Sequence, residues 1–312
     1  MYDLIIIGAG PAGMTAGIYA ARREMKTLII GAEVGGQMVW ASEIENYPGF
    51  SKISSFELIE NMRQQTVGAG AEMKIEEVKK IERKEDGNFV VYTSRDSFES
   101  QTVLIAMGLS PRRLAVPGEI EFNGKGVSYC ANCDGPFFRN KIVTVVGGGN
   151  AALDAAEIMS KIASQVYLIH RNESFKAFET LVEEVNSRPN IKIFFNSEIK
   201  AISGDGKVEK IRILNVQDNK EEEVKTDGVF IEVGRIASTD LAADFVDRND
   251  KNQIIINEKG ETRTPGLYAA GDVTNCETKQ ITVAIGQATI STLNAYQYLQ
   301  LKGNYHLAKK KY

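Results

Sequence analysis

The sequence predicts an α/β fold built from two similar units, with the second unit inserted into the first. Three observations support this prediction. An apolar strand, a glycine-rich loop, a helix and a second strand occur in this order twice, beginning near residue 4 and near residue 142. Each copy is followed by runs typical of antiparallel strands. Residues 239–312 have too little strand and helix pattern for a core of their own, so we expect them to complete the first unit.

The composition is that of an ordinary globular protein large enough for two cores. The 312 residues are 43% hydrophobic and 25% charged with a net charge of −4, so no nucleic-acid surface is expected. No apolar run approaches the roughly 20 residues that span a bilayer, and no secretory signal precedes the first strand. Lys309–Lys311 is interpreted as a solvated tail. The three cysteines fit a reducing compartment, which predicts a cytoplasmic protein.

The first copy begins with the apolar strand Leu4–Ile7, and its second strand is Thr27–Ile30. The loop between the first strand and the helix has the spacing G-x-G-x-x-G, which is specific in this context. Gly8 permits the tight turn, Gly10 lets the backbone approach a pyrophosphate, and Gly13 lets the helix pack closely on the strand. The loop therefore predicts a dinucleotide site.

The second copy repeats this arrangement, with the strands Ile142–Val146 and Gln165–Ile169 on either side of a loop and a helix. The same spacing predicts a second dinucleotide site. Its candidate phosphate-binding residues are Gly147, Gly149, Asn150 and Ala152.

An antiparallel β-meander is predicted after each copy. In the first copy it comprises Asn88–Thr93 and Phe98–Ile105, and in the second Val208–Val216 and Val224–Val233. The predicted architecture is thus two Rossmann-like dinucleotide-binding domains, each with a meander.

Two glycine-containing segments, Gly108–Arg113 and Gly234–Ser238, are the predicted hinges between these domains. The run Thr264–Asp272 predicts a strand that returns to the first sheet. The second domain is therefore an insertion. The predicted boundaries are 1–111, 112–237 and 238–312.

Charged residues near strand ends indicate which groups, besides a pyrophosphate, each dinucleotide ligand would present to the protein. Glu33 follows the second strand of the first copy and is the candidate acceptor for a ribose hydroxyl, with a solvated carboxylate as the alternative. In the second copy Arg171 suits a 2′-phosphate because its planar fork donates two hydrogen bonds, and Lys176 adds a point charge. Asp272, after Gly271, would accept a hydrogen bond from a polyol, with a local capping role as the alternative.

Cys130 and Cys133 are the strongest chemical signal in the chain. Two thiols three residues apart are either a redox pair or half of a metal site. The metal interpretation needs about two more ligands, and Cys276, His170 and His306 are single and scattered, so no metal site is predicted. A dithiol between two dinucleotide loops predicts electron transfer from a nucleotide cofactor to a disulfide.

Asp134 follows the dithiol directly. Its carboxylate is suited to hold a proton during thiol–disulfide exchange, and a helix N-cap is a compatible second interpretation. Cys276 is interpreted as a loop or core thiol.

These motifs together resemble the low-molecular-weight thioredoxin reductases, flavoproteins of the pyridine nucleotide–disulfide oxidoreductase class. The resemblance covers essentially the whole chain, and the combination of motifs is more specific than any one of them. The matching segments are Gly8–Gly13, Gly35-Gly36-Gln37, Glu45–Gly49, Cys130–Asp134, Gly147–Ala152, and Leu267–Val273 with Lys279-Gln280.

The resemblance implies FAD in the first domain and NADPH or NADH in the second. The FAD contacts that it implies are Gly8, Gly10, Ala12 and Gly13 at the pyrophosphate, Gly36, Gln37 and Asn46 towards the ring, and Asp272, Lys279, Gln280 and Ile281 around the ribityl chain and ring.

The resemblance also implies roles for the dithiol. Cys133 would face the flavin, Cys130 would attack the disulfide of thioredoxin or a thioredoxin-like protein, and Asp134 would be the acid–base group. The family alternates between two domain orientations, a motion that the two predicted hinges would permit. A homodimer is also implied.

The chain departs from the family's pattern in three places. The family has His-Arg-Arg and a later Arg at the 2′-phosphate site, where this chain has Asn172 and Lys176. Loss of a charged hydrogen bond costs about 1.5–3 kcal/mol, so a strong preference for NADPH is not expected. The hinge Gly234–Ser238 lacks the proline that the family often has, and Gly286-Gln287-Ala288 replaces an acid-bearing run near the flavin.

Two alternative functions remain at this point. A ferredoxin-fed flavin thioredoxin reductase would not bind nucleotide in the second domain; Asn172 favours it, whereas the intact loop Gly147–Ala152 argues against it. A non-catalytic flavin redox sensor is the other alternative, and the retention of Cys130, Cys133 and Asp134 argues against it. Turnover of a thioredoxin disulfide would exclude the sensor.

Overall fold

The computed structural model describes residues 1–40 and 43–303, so the interpretations of His306 and Lys309–Lys311 lie outside the described residues. The chain divides into two compact units. Unit 1 comprises Met1–Ser110 and Ile236–Tyr312, and unit 2 comprises Pro111–Arg235.

Unit 1 contains more strands than helices, and its first two helices each stand between two strands. Its elements in chain order are β1 (Tyr2–Ala9), α1 (Pro11–Ala21), β2 (Thr27–Val34), a 3₁₀ turn (Gly36–Trp40), β3 (Glu43–Ile44), β4 (Ile53–Ser54), α2 (Ser55–Gly68), β5 (Glu72–Ile75), β6 (Val78–Arg83), β7 (Phe89–Thr93), β8 (Ser97–Ile105) and β9 (Ser110–Pro111).

Unit 2 follows, and the chain then returns to unit 1. The elements of unit 2 are β10 (Val127–Ser128), α3 (Ala131–Asp134), a 3₁₀ turn (Gly135–Phe138), β11 (Ile142–Val146), α4 (Asn150–Ser160), β12 (Gln165–Ile169), α5 (Glu179–Ser187), β13 (Ile191–Phe194), β14 (Ser197–Ser203), β15 (Lys210–Asn215), β16 (Glu221–Lys225), β17 (Gly228–Ile231) and β18 (Arg235–Ile236). The returning elements are a 3₁₀ turn (Asp240–Ala242), β19 (Leu267–Ala269) and α6 (Ile281–Leu301).

One seven-stranded sheet forms the centre of unit 1, in the order β5-β2-β1-β8-β7-β6 with β19 beside β8. One edge of β8 pairs in parallel with β1. Its other edge pairs with β7 over Ser97–Ser100 and with β19 over Val103–Ile105, so one long strand joins the parallel and antiparallel parts. The prediction that Thr264–Asp272 returns to the first sheet is confirmed by this pairing.

Unit 2 has two separate sheets. The five-stranded sheet β10-β17-β11-β12-β13 is parallel, as in Rossmann-like domains, and β14-β15-β16 form an antiparallel meander. The predicted α/β class is therefore confirmed in both units. Apolar side chains cover both faces of each central sheet.

The prediction of one strand over Val224–Val233 is wrong, because the chain changes sheets between β16 and β17. Thr226 donates its hydroxyl hydrogen to the carbonyl of Gly228 at 2.9 Å, and the Asp227 carboxylate accepts the N–H of Ile142 at 2.9 Å. The N–H of Asp227 also donates to the carbonyl of Ile142 at 2.7 Å, so Asp227 holds the chain at the start of β11, away from β15. The strand Ser197–Ser203 was not predicted.

The chain passes from unit 1 to unit 2 within β9 and returns within β18. Within residues 1–40 and 43–303, no helix has the length and apolar character needed to cross a membrane.

Candidate functional site

The first glycine-rich loop joins β1 to α1, and it leaves the start of that helix open. The helix has no side-chain cap and no acidic residue in its first turn, so its N–H groups are free to face an anion. Gly8 has φ +113°, and a Cβ there would collide with the carbonyl of Ala106. A Cβ on Gly13 would collide with the carbonyl of Gly8. The backbone therefore requires both glycines.

Gly10 differs from these two glycines, because the fold alone does not require it. Its φ of −79° is accessible to any residue, and a Cβ there would lie 3.7 Å from the Cα of Gly36. The space between Gly10 and Gly36 is thus wide enough for a side chain that the sequence does not provide. This open space beside a helix N-terminus fits a pyrophosphate.

Glu33 is exposed near the end of β2, next to this loop in the fold. Val34 pairs with Ala9 after a register shift, and the N–H of Gly35 donates to the carbonyl of Ala9 at 2.9 Å. The chain after β2 therefore crosses the glycine-rich loop. Glu33 lies where it is available to a ligand hydroxyl.

The turn after β19 brings Asp272 to the same region of unit 1. Gly271 has φ +81°, and a Cβ there would lie 3.1 Å from the Cβ of Ala12 in the first turn of α1. The carboxylate of Asp272 accepts a hydrogen bond from the side-chain amide of Gln37 at 2.6 Å. Gln37 and Asp272 are 235 positions apart, and the fold brings these two predicted site residues into contact.

Two side chains that follow this turn fix its shape. The Lys279 amine donates to the carbonyls of Asp272 and Thr274, at 2.9 and 2.8 Å, and burial lowers the pKa of this amine. The Gln287 carbonyl oxygen accepts the N–H of Gly271 at 2.9 Å and the hydroxyl of Thr274 at 3.2 Å. Sequence reasoning treated Gln287 only as a departure from a family pattern and missed this role.

Asn46 and Gln280 also meet, since the Asn46 amide donates to the Gln280 side-chain oxygen at 3.2 Å. Gln280 precedes α6, whose start has neither a side-chain cap nor an acidic residue in the first turn. Ile281, its first residue, packs half-buried in an apolar cluster that includes Met14. Unit 1 therefore has two open helix N-termini among its predicted FAD residues.

The second glycine-rich loop, between β11 and α4, has a similar geometry. The helix starts without a side-chain cap. Gly149 has φ −101°, and a Cβ there would approach only the carbonyl oxygen of Lys176, at 3.8 Å. A Cβ on Gly148 would collide with the ring of His170. Gly148 is therefore required by packing, whereas Gly149 leaves space for a ligand.

The segment after β12 crosses this second loop. The N–H of Lys176 donates to the carbonyl of Gly148 at 2.7 Å, and the side-chain oxygen of Asn150 accepts the N–H of Phe178 at 2.8 Å. Arg171 and Lys176 have exposed side chains. Asn150 thus holds the crossing segment in place, and the two cations remain available to a ligand.

An acidic group that sequence reasoning missed lies beside this loop. Glu232 follows β17, and its N–H donates to the carbonyl of Val146 at 2.8 Å. The pKa of Glu232 is raised to about 7, mainly by burial; Arg235 opposes the shift and Asp154 makes a smaller contribution to it. The pKa of Asp154 is also raised, first by burial and then by neighbouring glutamates. Glu232 therefore changes charge near neutral pH.

Cys130 and Cys133 form a disulfide with Cα atoms 5.4 Å apart. Cys130 occupies the N-cap position of α3, where its sulfur accepts the N–H of Cys133 at 3.1 Å. Cys130 is 7% exposed, whereas Cys133 is classed as exposed. A helix start favours a thiolate, so Cys130 has the better environment for a nucleophilic sulfur.

Asp134 is the last residue of α3 and occupies the N-cap position of the 3₁₀ turn Gly135–Phe138, where its side chain makes no capping hydrogen bond. The Asp134 carboxylate instead accepts the hydroxyl of Ser128 at 2.6 Å. Cys276 is a free, half-buried loop cysteine whose thiol lies 3.8 Å from the carbonyl of Thr278.

Comparison with known proteins gives consistent matches over nearly the whole chain. Residues 2–288 match the family model described as Pyridine nucleotide-disulphide oxidoreductase. The thioredoxin reductase of Treponema pallidum is 37% identical over 97% of this chain and 99% of its own length. That of Listeria monocytogenes is 36% identical over 96% of this chain and 94% of its own length. The solved structure of Lactococcus lactis thioredoxin reductase has a TM-score of 0.86 at 36% identity, covering 96% of this chain and 100% of that one.

Proposed function

Because the chain belongs to the pyridine nucleotide-disulphide oxidoreductase family, we propose that electrons pass from NADPH or NADH through FAD and the Cys130/Cys133 pair to thioredoxin. The chain is a thioredoxin-disulfide reductase, with a flavin and a pyridine nucleotide as cofactors and thioredoxin as its substrate. We further propose that the flavin is FAD, and we assign roles to the residues that would bind the cofactors and carry the disulfide chemistry. The disulfide at the start of α3 is the observation that carries it.

We assign FAD to unit 1 because its residues fit that ligand. The space between Gly10 and Gly36 and the uncapped start of α1 suit the pyrophosphate, with Gly8, Ala12 and Gly13 shaping the loop. When bound, FAD supplies a two-electron carrier between a nucleotide and a disulfide.

The remaining FAD contacts would come from the turn after β19 and the start of α6. Asp272 would accept a ribityl hydroxyl, and Gln37 would hold its carboxylate in place. Lys279 would act through the backbone of the turn, because its amine donates to two carbonyls there. Gln280 with Asn46, and Ile281, would lie towards the ring.

The dithiol chemistry is a thiol–disulfide exchange. The Cys130 thiolate attacks one sulfur of the thioredoxin disulfide, forming a mixed disulfide and releasing one thioredoxin thiolate. Cys133 then attacks the Cys130 sulfur, which restores the Cys130–Cys133 disulfide and releases the second thiolate. The two protons of the reduced dithiol pass to the two thioredoxin thiols, and Asp134 would carry one of them. Because Cys130 is 7% exposed, it must become accessible before the first attack.

Unit 2 is the proposed nucleotide domain. Gly147, Gly149 and Ala152 would approach the pyrophosphate, and Arg171 with Lys176 would face an adenosine 2′-phosphate. Asn172 supplies no charge where the family has arginine, so we propose that NADH is used as well as NADPH.

The decisive experiment is anaerobic titration of the purified protein with NADPH and, separately, with NADH, following loss of the oxidised flavin absorbance. Bleaching by either nucleotide supports the proposal, and the two affinities give the preference. If neither nucleotide bleaches the flavin and reduced ferredoxin does, the proposed donor is wrong. The ferredoxin-fed enzyme and the non-catalytic sensor are not favoured, since the matched relatives are named thioredoxin reductases.

We further propose a cytoplasmic homodimer. Only three cysteines are present, which suits a reducing compartment, and the dimer rests on resemblance to the family. Light scattering after gel filtration would give the mass of the assembly; a mass of 34.3 kDa, that of one chain, would contradict the dimer.

A further inference from the structure

Ser128 has hydrogen bonds that the proposed function does not use. It is 4% exposed at the end of β10, two residues before Cys130. Its hydroxyl oxygen accepts the N–H of Cys130 at 3.0 Å and lies 2.6 Å from Oδ2 of Asp134 and 3.3 Å from the Cys130 carbonyl. A serine hydroxyl has one hydrogen to donate, and the short contact with a carboxylate is the stronger. The hydrogen therefore points to Asp134.

We propose that Ser128 is a positioning residue that fixes the Asp134 carboxylate for proton transfer during thiol–disulfide exchange. The proposal rests on the role of Asp134 in the proposed function. A continuous chain of hydrogen bonds runs from the Cys130 N–H through the Ser128 hydroxyl to Oδ2 of Asp134. It ties the backbone of the attacking cysteine to the carboxylate, and each bond of such a chain polarises the next.

The same contacts decide which oxygen of Asp134 handles the proton. Oδ2 is occupied by the Ser128 hydroxyl, and Oδ1 has no hydrogen-bond partner among residues 1–40 and 43–303. Oδ1 would take the proton of the Cys130 thiol as the thiolate forms, and give it to the thioredoxin thiolate that leaves when the mixed disulfide forms. One S–H bond is lost and one is made, so the carboxylate is regenerated.

The strand under Ser128 makes it a fixed support. Val127 and Ser128 pair in register with Val229 and Phe230 of β17, a fully buried strand of the parallel sheet. The carboxylate of Asp134, by contrast, stands on a four-residue helix. The bond from Ser128 thus attaches the carboxylate to the sheet.

The test compares Ser128→Thr with Ser128→Val, which differ by a hydroxyl against a methyl of nearly the same size. A positioned acid–base group contributes about 10²–10⁴-fold to a rate, and we expect the valine variant to lose about tenfold in kcat for thioredoxin relative to the threonine variant. Reduction of ferricyanide by NADPH or NADH, which uses the flavin without the dithiol, should be equal in both. If Ser128→Val does not fold, Ser128→Ala is compared with Ser128→Thr instead.

The comparison of the two Ser128 variants is repeated in an Asp134→Asn background. Ser197→Ala removes another buried hydroxyl of unit 2 and is the control for lost packing. The proposal predicts that the threonine–valine difference disappears in the Asp134→Asn background. Equal kcat in the two Ser128 variants, or a difference that persists without the Asp134 carboxylate, would overturn it. If Asp134→Asn alone leaves kcat unchanged, the role of Asp134 in the proposed function also fails, which a failure of Ser128 alone does not imply.

Discussion

Units 1 and 2 hold their glycine-rich loops by the same hydrogen bond. In unit 1 the Gly35 N–H donates to the carbonyl of Ala9, and in unit 2 the Lys176 N–H donates to the carbonyl of Gly148, at 2.9 and 2.7 Å. Ala9 and Gly148 are both the variable residue between the first two glycines of the motif. The donor comes in each case from the segment after the second strand, so the chain uses one arrangement twice.

The segments that make this bond differ in charge. Unit 1 exposes the carboxylate of Glu33 before the crossing, whereas unit 2 exposes two cations, Arg171 and Lys176, and one carboxylate, Glu173. A carboxylate accepts hydrogen bonds from ribose hydroxyls and repels phosphate, whereas a guanidinium binds phosphate. Under the proposed function, the loop would bind a pyrophosphate in both units, and the segment after the second strand would select the rest of the ligand.

A second difference lies beside the first glycine of each loop. The carbonyl that excludes a side chain at Gly8 belongs to Ala106, and the one that excludes a side chain at Gly147 belongs to Glu232. Ala106 is buried and apolar, whereas Glu232 titrates near neutral pH. Only unit 2 therefore has a pH-dependent group at this position.

The largest expected effect is in the dithiol, which only unit 2 has. Cys133→Ser should abolish thioredoxin reduction while the flavin stays bound, because the mixed disulfide can no longer be resolved. Thioredoxin turnover and flavin absorbance of the purified variant check this. Cys276→Ser removes the free cysteine and should retain activity; unimpaired turnover by Cys133→Ser would refute the assignment of the dithiol.

The next effect separates the ligands of the two loops. Gly10 and Gly149 both have negative φ and open space, so valine at either position is compatible with the backbone but fills the proposed pyrophosphate site. Gly10→Val should purify without flavin. Gly149→Val should keep its flavin and require at least tenfold more NADPH or NADH for bleaching. Flavin content measures the first effect and anaerobic titration measures the second. If Gly149→Val lost the flavin and Gly10→Val kept it, FAD would belong to unit 2 and the nucleotide to unit 1.

A smaller effect is expected at the proposed 2′-phosphate site of unit 2. Asn172→Arg adds a charged hydrogen-bond donor, worth about 1.5–3 kcal/mol, so the preference for NADPH over NADH should rise roughly ten- to hundredfold. The ratio of kcat/KM values for the two nucleotides measures it. Gln217→Arg adds the same charge at another exposed position of unit 2 and should leave the ratio unchanged. No shift with Asn172→Arg would mean that the ribose site lies elsewhere.

The smallest effect concerns the pH dependence of stability. Burial raises the pKa of Glu232 to about 7 in the folded protein, above the ordinary value of 4.5 for a glutamate. Folding therefore binds a proton between these pH values, and stability falls as the pH rises through them. Glu232→Gln should remove a cost of about 3 kcal/mol, which develops as the pH rises from about 4.5 to about 7. Urea unfolding at several pH values measures this, with the exposed Glu209→Gln as control. A pH-independent difference from the native chain would contradict the assignment.

Much of this arrangement could be predicted because it is local in sequence. The loops Gly8–Gly13 and Gly147–Ala152 each stand between a strand and a helix, and the spacing of Cys130 and Cys133 permits a disulfide. These features depend on backbone geometry within a few residues, which residue type and spacing record directly.

The parts that could not be predicted depend on contacts between distant residues. Gln287 supports Gly271 from 16 positions away, and Ser128 supports Asp134 across the disulfide loop. The break between β16 and β17 follows from the two bonds between Asp227 and Ile142, 85 positions earlier. The four residues Lys225–Gly228 interrupt the apolar pattern at that break, and the prediction of one strand overlooked this local signal.

The return of β19 and α6 to unit 1 sets the order in which the protein can mature on the ribosome. Unit 2 is one continuous stretch, 111–235, and all of its strands and helices have been synthesised before β19 emerges. The inner side of α1 packs on α6 in one apolar core, so unit 1 keeps that surface uncovered until the end of the chain is made. At 5–20 residues per second, synthesis from the end of α1 to the start of α6 takes roughly 13–52 s. In a nascent chain, unit 2 would therefore be able to fold while unit 1, whose two segments flank it in sequence, is still incomplete and exposed to binding by chaperones.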